Sequence, residues 1–145
     1  MRLRGHHILC LHGWRGIGYN ADFTDNMHSI CDRLRSDPDL LVQVLDSPDD
    51  ICASCPHLSD TRCARNGDES EDRISSKDAA ILQILNLAPG DRLTAKELFI
   101  LACERFEAVG LKGVCGSCRW FGFGWCEQGI SDRVMLRKPE DTPDR

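Results

Sequence analysis

Two cysteine triplets with the same spacing constrain this chain more than any other feature of its sequence. Both follow the pattern C-x2-C-x7-C, at Cys52, Cys55 and Cys63 and again at Cys115, Cys118 and Cys126. With nine cysteines in 145 residues, chance would produce only about 0.03 such triplets. A C-x2-C pair places two thiolates on one ion or cluster, because the short spacer lets the chain curl around the metal. The triplets therefore predict metal binding, with disulfides or buried thiols as the alternatives.

The length of the chain favours metal ligands over disulfides. A chain of 145 residues is the size of one domain and can bury roughly 68–70% of its unfolded surface. It therefore needs no disulfides merely to fold. We expect one cysteine-rich, metal-binding domain over residues 1–130. Because the sequence turns polar beyond this point, residues 131–145 are predicted to form a disordered C-terminal tail.

Charge and hydropathy limit the expected location and partners. The N-terminal apolar run is broken by His6, His7 and His12 and has no cleavage motif, so no signal peptide is predicted. No stretch approaches the roughly 18 apolar residues of a membrane span. We therefore predict a cytoplasmic protein with reduced thiols and no membrane partner. The formal net charge of −5 argues against nucleic acid as a partner, because phosphate binding needs a basic face.

Hydrophobic spacing predicts an α+β fold that is mostly helical, with about four helices and one or two short strands around two cysteine-rich metal-binding loops. The apolar run over residues 40–45 predicts a strand. The expected helix starts are Gly5, a Thr24 cap, a Ser75 or Ser76 cap, and the capping box of Thr94 and Glu97. Cys31 and Cys103 fall within apolar stripes of these helices, so we expect them in the core.

Cys10 is the candidate for a fourth ligand. A triplet leaves a tetrahedral site one ligand short, and Cys10 lies on the first predicted helix as an available thiol. His6 stands four residues earlier on the same helix face, so it is an alternative ligand, as is the adjacent His7. His57 follows the first triplet, but we expect it to face solvent.

Several other stretches are interpreted as ordinary structure. The glycine-rich residues 13–19 are expected to be a connector, and residues 61–72 an exposed loop around the first triplet. The basic residues Arg2, Arg4 and Arg15 are interpreted as solvated charge. The aromatic residues between Cys118 and Cys126 are expected to exclude water from a cluster or to close the core.

Four motifs together resemble one protein family. They are Leu3-Arg-Gly-His-His-Ile-Leu-Cys10, Gly18-Tyr19 ahead of Asn26-Met27, Asp49-Asp50-Ile-Cys-Ala-Ser-Cys-Pro56, and Cys115-x2-Cys-x-Trp120-x5-Cys126. The chain is similar, from Arg2 to about Ile130, to a family of small uncharacterised bacterial and archaeal proteins described as iron–sulfur-binding. The resemblance implies an iron–sulfur cofactor, and by motif match it implies seven ligands: Cys10, Cys52, Cys55, Cys63, Cys115, Cys118 and Cys126. It implies no substrate or activity.

Seven thiols leave three arrangements open. In the first, each triplet forms its own site, one completed by Cys10 and the other by His6, His7 or an external ligand. In the second, the two C-x2-C pairs share one site. In the third, a single triplet holds a cluster with Cys10 while the other triplet is structural. We favour the first, because each triplet is local in sequence and clusters tolerate a non-cysteine ligand.

Two functions fit these sites. The first is an iron–sulfur protein that transfers electrons or senses redox state, which implies a redox or protein partner. The second is a zinc-stabilised interaction module without redox chemistry. No nucleotide-binding, radical or nucleophile motif defines an enzyme, and the sequence leaves the oligomeric state open.

Overall fold

The computed structural model describes residues 1–141, and in this part of the chain the fold is α+β and mostly helical, as predicted. The described residues contain more helices than the predicted four. The six α-helices are α1 Gly5–Cys10, α2 Ala21–Ser36, α3 Ser70–Ile84, α4 Ala95–Val109, α5 Lys112–Cys115 and α6 Trp125–Ser131. The five strands are β1 Arg2–Arg4, β2 Leu41–Leu45, β3 Leu58–Ser59, β4 Arg62–Cys63 and β5 Arg92–Thr94. Over residues 1–141, every helix is too short or too polar to cross a bilayer.

The central sheet has the order β1-β2-β5, with β2 in the middle. β1 runs parallel to β2 and places Leu3 opposite Val44, whereas β5 runs antiparallel and places Leu93 opposite Val42. Leu3, Val42 and Val44 have no exposed surface. The strand predicted over residues 40–45 is therefore confirmed at 41–45, and its alternating apolar residues face the core.

Helix α2 begins one turn earlier than predicted. The side-chain oxygen of Asn20 accepts a hydrogen bond of 2.9 Å from the Phe23 amide, so Asn20 caps the helix and the predicted Thr24 cap is wrong. Both residue types cap helices well. Phe23 lies in the core one turn before Met27, so the buried stripe starts early enough to favour Asn20.

Helix α3 also begins earlier than predicted, at Ser70 and not after Ser75 or Ser76. The expected loop over residues 61–72 instead contains β4, which pairs with β3 and places Cys63 opposite Leu58, followed by the first turn of α3. Periodicity could not detect this turn, because its inward-facing residue is the buried acid Glu71.

Helix α4 starts at the predicted capping box. Thr94 Oγ1 accepts from the Glu97 amide at 3.2 Å, and Glu97 Oε2 accepts from the Thr94 amide at 2.9 Å. The helix ends before Gly110, whose φ of 74° lies in the left-handed region. Cys103 is fully buried on this helix and Cys31 is 2% exposed on α2, so both predicted core cysteines belong to the hydrophobic core.

The two extra helices, α5 and α6, flank the second cysteine triplet. Helix α6 packs on the short 3-10 turn that follows α1, Leu11–Gly13. The contact is so close that a Cβ atom on Gly129 would stand 1.8 Å from the His12 carbonyl oxygen. Only glycine fits there. This contact holds the end of the second triplet against the end of α1.

Residues 131–141 of the predicted tail pack against the rest of the fold. Met135 is 3% exposed within a 3-10 turn, and the Arg35 side chain donates to the carbonyl oxygens of Arg137 and Lys138. The last four residues of the predicted tail lie outside the described residues. The domain boundary at residue 130 stays a prediction.

Candidate metal centre

Four of the predicted ligands converge at one place, although they come from distant parts of the chain. Cys10 ends α1, Cys115 ends α5, Cys118 follows in the next turn, and Cys126 lies in the first turn of α6. A Cβ atom on Gly13 would stand 2.5 Å from the Cys126 Sγ, which shows how closely α6 approaches the end of α1. The structure therefore joins Cys10 to the second triplet.

Burial and neighbouring thiols raise the pKa values of Cys10, Cys115 and Cys126. Burial is the largest cause for Cys10, and the nearby Cys126, Cys115 and Cys118 add to it. The same two causes raise the pKa of Cys126 to about 11. Cys10 and Cys126 therefore resist ionisation unless a cation replaces their protons. This electrostatic conflict is what a bound metal would resolve.

The two C-x2-C turns have the same backbone conformation. In each, the amide of the second cysteine donates to the carbonyl of the first at 2.9 Å, and an amide three residues further on donates to the second cysteine at 3.1 Å. The bonds join Cys55 to Cys52, Leu58 to Cys55, Cys118 to Cys115 and Phe121 to Cys118. The sequence repeat is thus also a structural repeat of tight turns.

Cys55 and Cys63 of the first triplet form a second group of thiols. Burial raises the pKa of Cys55, and the nearby Cys63 raises it further. Cys52 is 8% exposed, and its sulfur lies 3.8 Å from a guanidinium nitrogen of Arg4. Burial, with Asp49 as the next cause, raises the pKa of Cys52 to about 12. Cys10 lies with the second triplet, and Cys55 and Cys63 lie apart from it. This placement corresponds to the arrangements in which the two triplets are separate.

His7 is held beside the first triplet by Asp49. Its ring Nδ1 lies 2.8 Å from Asp49 Oδ2, and Asp49 also accepts from the amides of Arg4, Ile51 and Cys52. Although burial opposes ionisation, these contacts hold the pKa of Asp49 well below its usual range. Ligand atoms of His7, Asp49 and Cys52 lie within 4.8 Å of one another. Because the Asp49 oxygens are already occupied, Nε2 of His7 is the available nitrogen ligand.

Arg4 lies at the centre of a buried network, so its interpretation as solvated charge is wrong. The Arg4 side chain is 1% exposed and pairs with Asp78 at 2.6 Å and Glu71 at 2.7 Å. Glu71 also accepts from the Cys63 amide at 2.7 Å. A Cβ atom on Gly5 would stand 2.6 Å from the Asp78 carbonyl oxygen, so only glycine lets α1 lie this close to α3.

His6 is joined to the same network. Its Nδ1 lies 2.7 Å from Asp78 Oδ1. Burial and the adjacent His7, whose ring centroid is 4.2 Å away, lower the pKa of His6 to about 4 despite this contact. His6 is therefore neutral at pH 7. It donates from Nδ1 to Asp78 and keeps Nε2 as an acceptor.

A cavity of about 510 Å³ opens onto the converging thiols, and Cys10, Cys118 and Cys126 line it. His6, His7 and the glycine-rich segment 13–19 form part of its wall, so this segment does more than connect two helices. Of the aromatic residues in the second triplet, Trp120 and Trp125 line the cavity, whereas Phe123 is 57% exposed. The aromatic segment therefore shields the thiols only in part.

Tyr19 lies between the two thiol groups. Its ring contacts His57 at 4.7 Å between centroids, and the Arg65 guanidinium lies 5.4 Å from its ring centre. Both Cys55 and Cys10 are close enough to affect the ionisation of Tyr19. His57 is half-buried by this contact, so it faces solvent only in part.

Sequence reasoning missed the acidic residues that position the site, Asp49, Glu71 and Asp78. Asp49 stands within one of the motifs quoted above, but Glu71 and Asp78 carry no local signal, because their buried partner Arg4 is more than 60 residues away. The seven candidate ligand cysteines are free thiols in the structure.

Comparison with known proteins identifies a family and nothing more specific. No curated protein and no solved structure matches the chain. A family profile matches residues 18–124, which is most of the chain and includes five of the seven candidate ligands. The chain therefore belongs to the family described as "Protein of unknown function (DUF1284)".

Proposed function

We propose that this protein binds an iron–sulfur cluster through Cys10, Cys115, Cys118 and Cys126. The observation that carries the proposal is the convergence of these four thiols, three of which, Cys10, Cys118 and Cys126, line one cavity. Cysteine thiolates in sets of four are the usual ligands of such clusters. A cluster would also supply the positive charge that lets thiols such as Cys10 and Cys126, whose pKa values are raised by burial, ionise.

The spacing of the sulfurs supports a cluster over a single zinc ion. With zinc–sulfur bonds of about 2.3 Å, the four sulfurs of a tetrahedral zinc site lie only about 3.8 Å apart. Among residues 1–141, the one group with ligand atoms all within 4.8 Å is that of His7, Asp49 and Cys52, and it contains none of the four converging thiols. A larger inorganic core fits this wider spacing better.

The first triplet supports a second candidate function, a zinc-stabilised module. Cys52 and His7 offer ligand atoms within 4.8 Å, which suits one small ion. Cys55 and Cys63 are the further thiols of that site. In this alternative the metal only fixes the turn and the β3–β4 hairpin, and no electron is transferred.

The proposed role of the cluster is electron transfer or redox sensing in the cytoplasm, with a redox protein as partner. Partial shielding by Trp120 and Trp125 supports this role. A cluster near a solvent-accessible cavity can exchange electrons, whereas the surrounding apolar side chains tune its potential. We propose a reducing compartment with this role, because it would keep the cysteines available as thiols.

Anaerobic purification followed by metal and sulfide analysis tests the proposal. We expect brown protein with about four iron and four acid-labile sulfide per chain if one [4Fe–4S] cluster is bound. The Cys103→Ala variant is the matched control, because Cys103 is buried in α4 within the core. A colourless preparation that contains zinc and no sulfide would refute the iron–sulfur assignment and favour the zinc module.

A further inference from the structure

The cavity next to the converging thiols is strongly cationic, although the chain as a whole is acidic. The protein has 23 acidic and 18 basic residues. Among the described residues 1–141, no aspartate or glutamate lines the cavity, whereas five basic side chains do: Arg15, Arg65, Arg73, Lys77 and Arg119. Such segregation of charge concentrates a positive potential inside one cleft.

These cations have not been neutralised by neighbouring carboxylates. The ion pairs of residues 1–141 involve other basic side chains, among them Arg4 and Arg62. Helix α3 shows this segregation of acidic from basic side chains. Its buried acids Glu71 and Asp78 pair with Arg4, whereas Arg73 and Lys77, one turn apart, line the cavity.

Only two of the five cavity cations lie beside candidate ligand thiols in a way that explains their position. Lys77 interacts electrostatically with Cys10, Cys115 and Cys126, which places it beside the proposed metal centre. Arg65 acts in the same way on Cys55. Three arginines of the cavity wall are left for another anion: Arg15, Arg73 and Arg119.

Aromatic rings hold several of these arginines in place. The guanidinium of Arg15 lies 5.9 Å from the ring centre of Trp125, and that of Arg119 lies 4.9 Å from that of Trp120. Cation–π contacts of this kind fix a guanidinium without using its N–H donors. One donor of Arg15 bonds the Gln128 side chain at 3.3 Å and one of Arg73 bonds the Asn66 carbonyl at 3.4 Å, which leaves the other donors of each guanidinium for a ligand. The wall therefore combines flat apolar surfaces with donors that suit phosphate or carboxylate oxygens.

We propose that this cavity binds a small planar aromatic anion beside the converging thiols. The arginines recognise the anionic group, and the tryptophan and tyrosine rings pack against the planar part. A volume of about 510 Å³ lies within the range of small-molecule sites, roughly 300–1,000 Å³. The inference goes beyond metal binding, because its key residues are not the thiols.

Isothermal titration of the anaerobically purified protein with naphthyl phosphate tests this inference. We expect measurable binding that weakens as ionic strength rises. Inorganic phosphate lacks the ring and naphthol lacks the charge, so each should bind at least about tenfold more weakly. Failure of naphthyl phosphate to bind, or equal binding of naphthol or the cation naphthyltrimethylammonium, would overturn the inference.

Charge-neutral variants give the second part of the test. Arg73→Gln and Arg119→Gln should each weaken binding about five- to twentyfold, because each removes a charge-assisted hydrogen bond to the anion. Arg105→Gln is the matched control, since Arg105 is an exposed arginine within a helix and does not line the cavity. Unchanged affinity in Arg73→Gln and Arg119→Gln would also overturn the inference.

Metal content, measured on the same samples, separates the two proposals. Binding of naphthyl phosphate by protein that contains no iron would contradict the iron–sulfur assignment alone. Protein that carries iron and sulfide but does not bind naphthyl phosphate would contradict the cavity assignment alone.

Discussion

Gly13 lies directly against Cys126, and a Cβ atom on Gly13 would stand 2.5 Å from the cysteine sulfur and 2.8 Å from its backbone nitrogen. No side chain fits there without moving one of the proposed ligands. The contact joins the segment after α1 to the last cysteine of the second triplet. The four-thiol site therefore depends on a residue that is not itself a ligand.

The first prediction follows from this contact. Gly13→Ala should push Cys126 away from the other thiols, so iron content per chain should fall by half or more. Gly113→Ala is the control, because a Cβ on Gly113 of α5 meets no atom within 4 Å. That change should keep the iron content and leave stability within about 1 kcal/mol. Equal iron content in both variants would refute the predicted role of Gly13.

The second prediction concerns Cys10. Cys10→Ser should leave the second triplet with three thiolates and an open coordination position, so its cluster should be lost faster in air. The measurement is iron content and the rate at which visible absorption bleaches on exposure to air. His6→Ala should have a much smaller effect, because His6 pairs with Asp78. If Cys10→Ser behaves like wild type, Cys10 is not a ligand.

The third prediction tests the buried network. Asp78→Asn should destabilise the protein by about 3–5 kcal/mol, because it leaves buried partners uncompensated. Asp72→Asn is the control on the same helix, where the partner is Arg62 and both side chains are more than half exposed. It should cost less than about 1 kcal/mol. Urea unfolding measures both, and equal losses would contradict the assignment of Asp78 to a buried ion pair.

The fourth prediction concerns pH. In metal-free protein, burial and neighbouring thiols raise the pKa of Cys126 from 9.0 to about 11. The unfolded chain therefore releases this proton first as pH rises, so metal-free protein should lose stability between pH 9 and 11. Metal-loaded protein should not show this loss, because its thiolates are already ionised.

Unfolding curves at pH 8 and pH 10, with and without metal, measure this difference. For the metal-loaded form the pH dependence should appear at the acid side, where protons compete with the metal for the thiolates. If the free energy of unfolding changed equally between pH 8 and pH 10 in the metal-free and metal-loaded protein, the four thiols would not be the metal ligands.

Local patterns in the sequence were sufficient for much of the fold. The capping box of Thr94 and Glu97, the strand at residues 41–45 and the core positions of Cys31 and Cys103 each depend on residues close in the chain. The C-x2-C spacing predicted metal binding at two loops, and this stays a prediction. Such features are detectable because propensity and periodicity act within a few residues.

Tertiary structure decided what these local pieces do together. Cys10 joins the second triplet and not the first because Gly129 lets α6 approach His12, a contact between residues more than 100 positions apart. Arg4 is buried because Asp78 and Glu71 reach it from α3. Spacing in the sequence specifies which thiols can share a turn, but the distance between turns depends on packing, and packing depends on the whole chain.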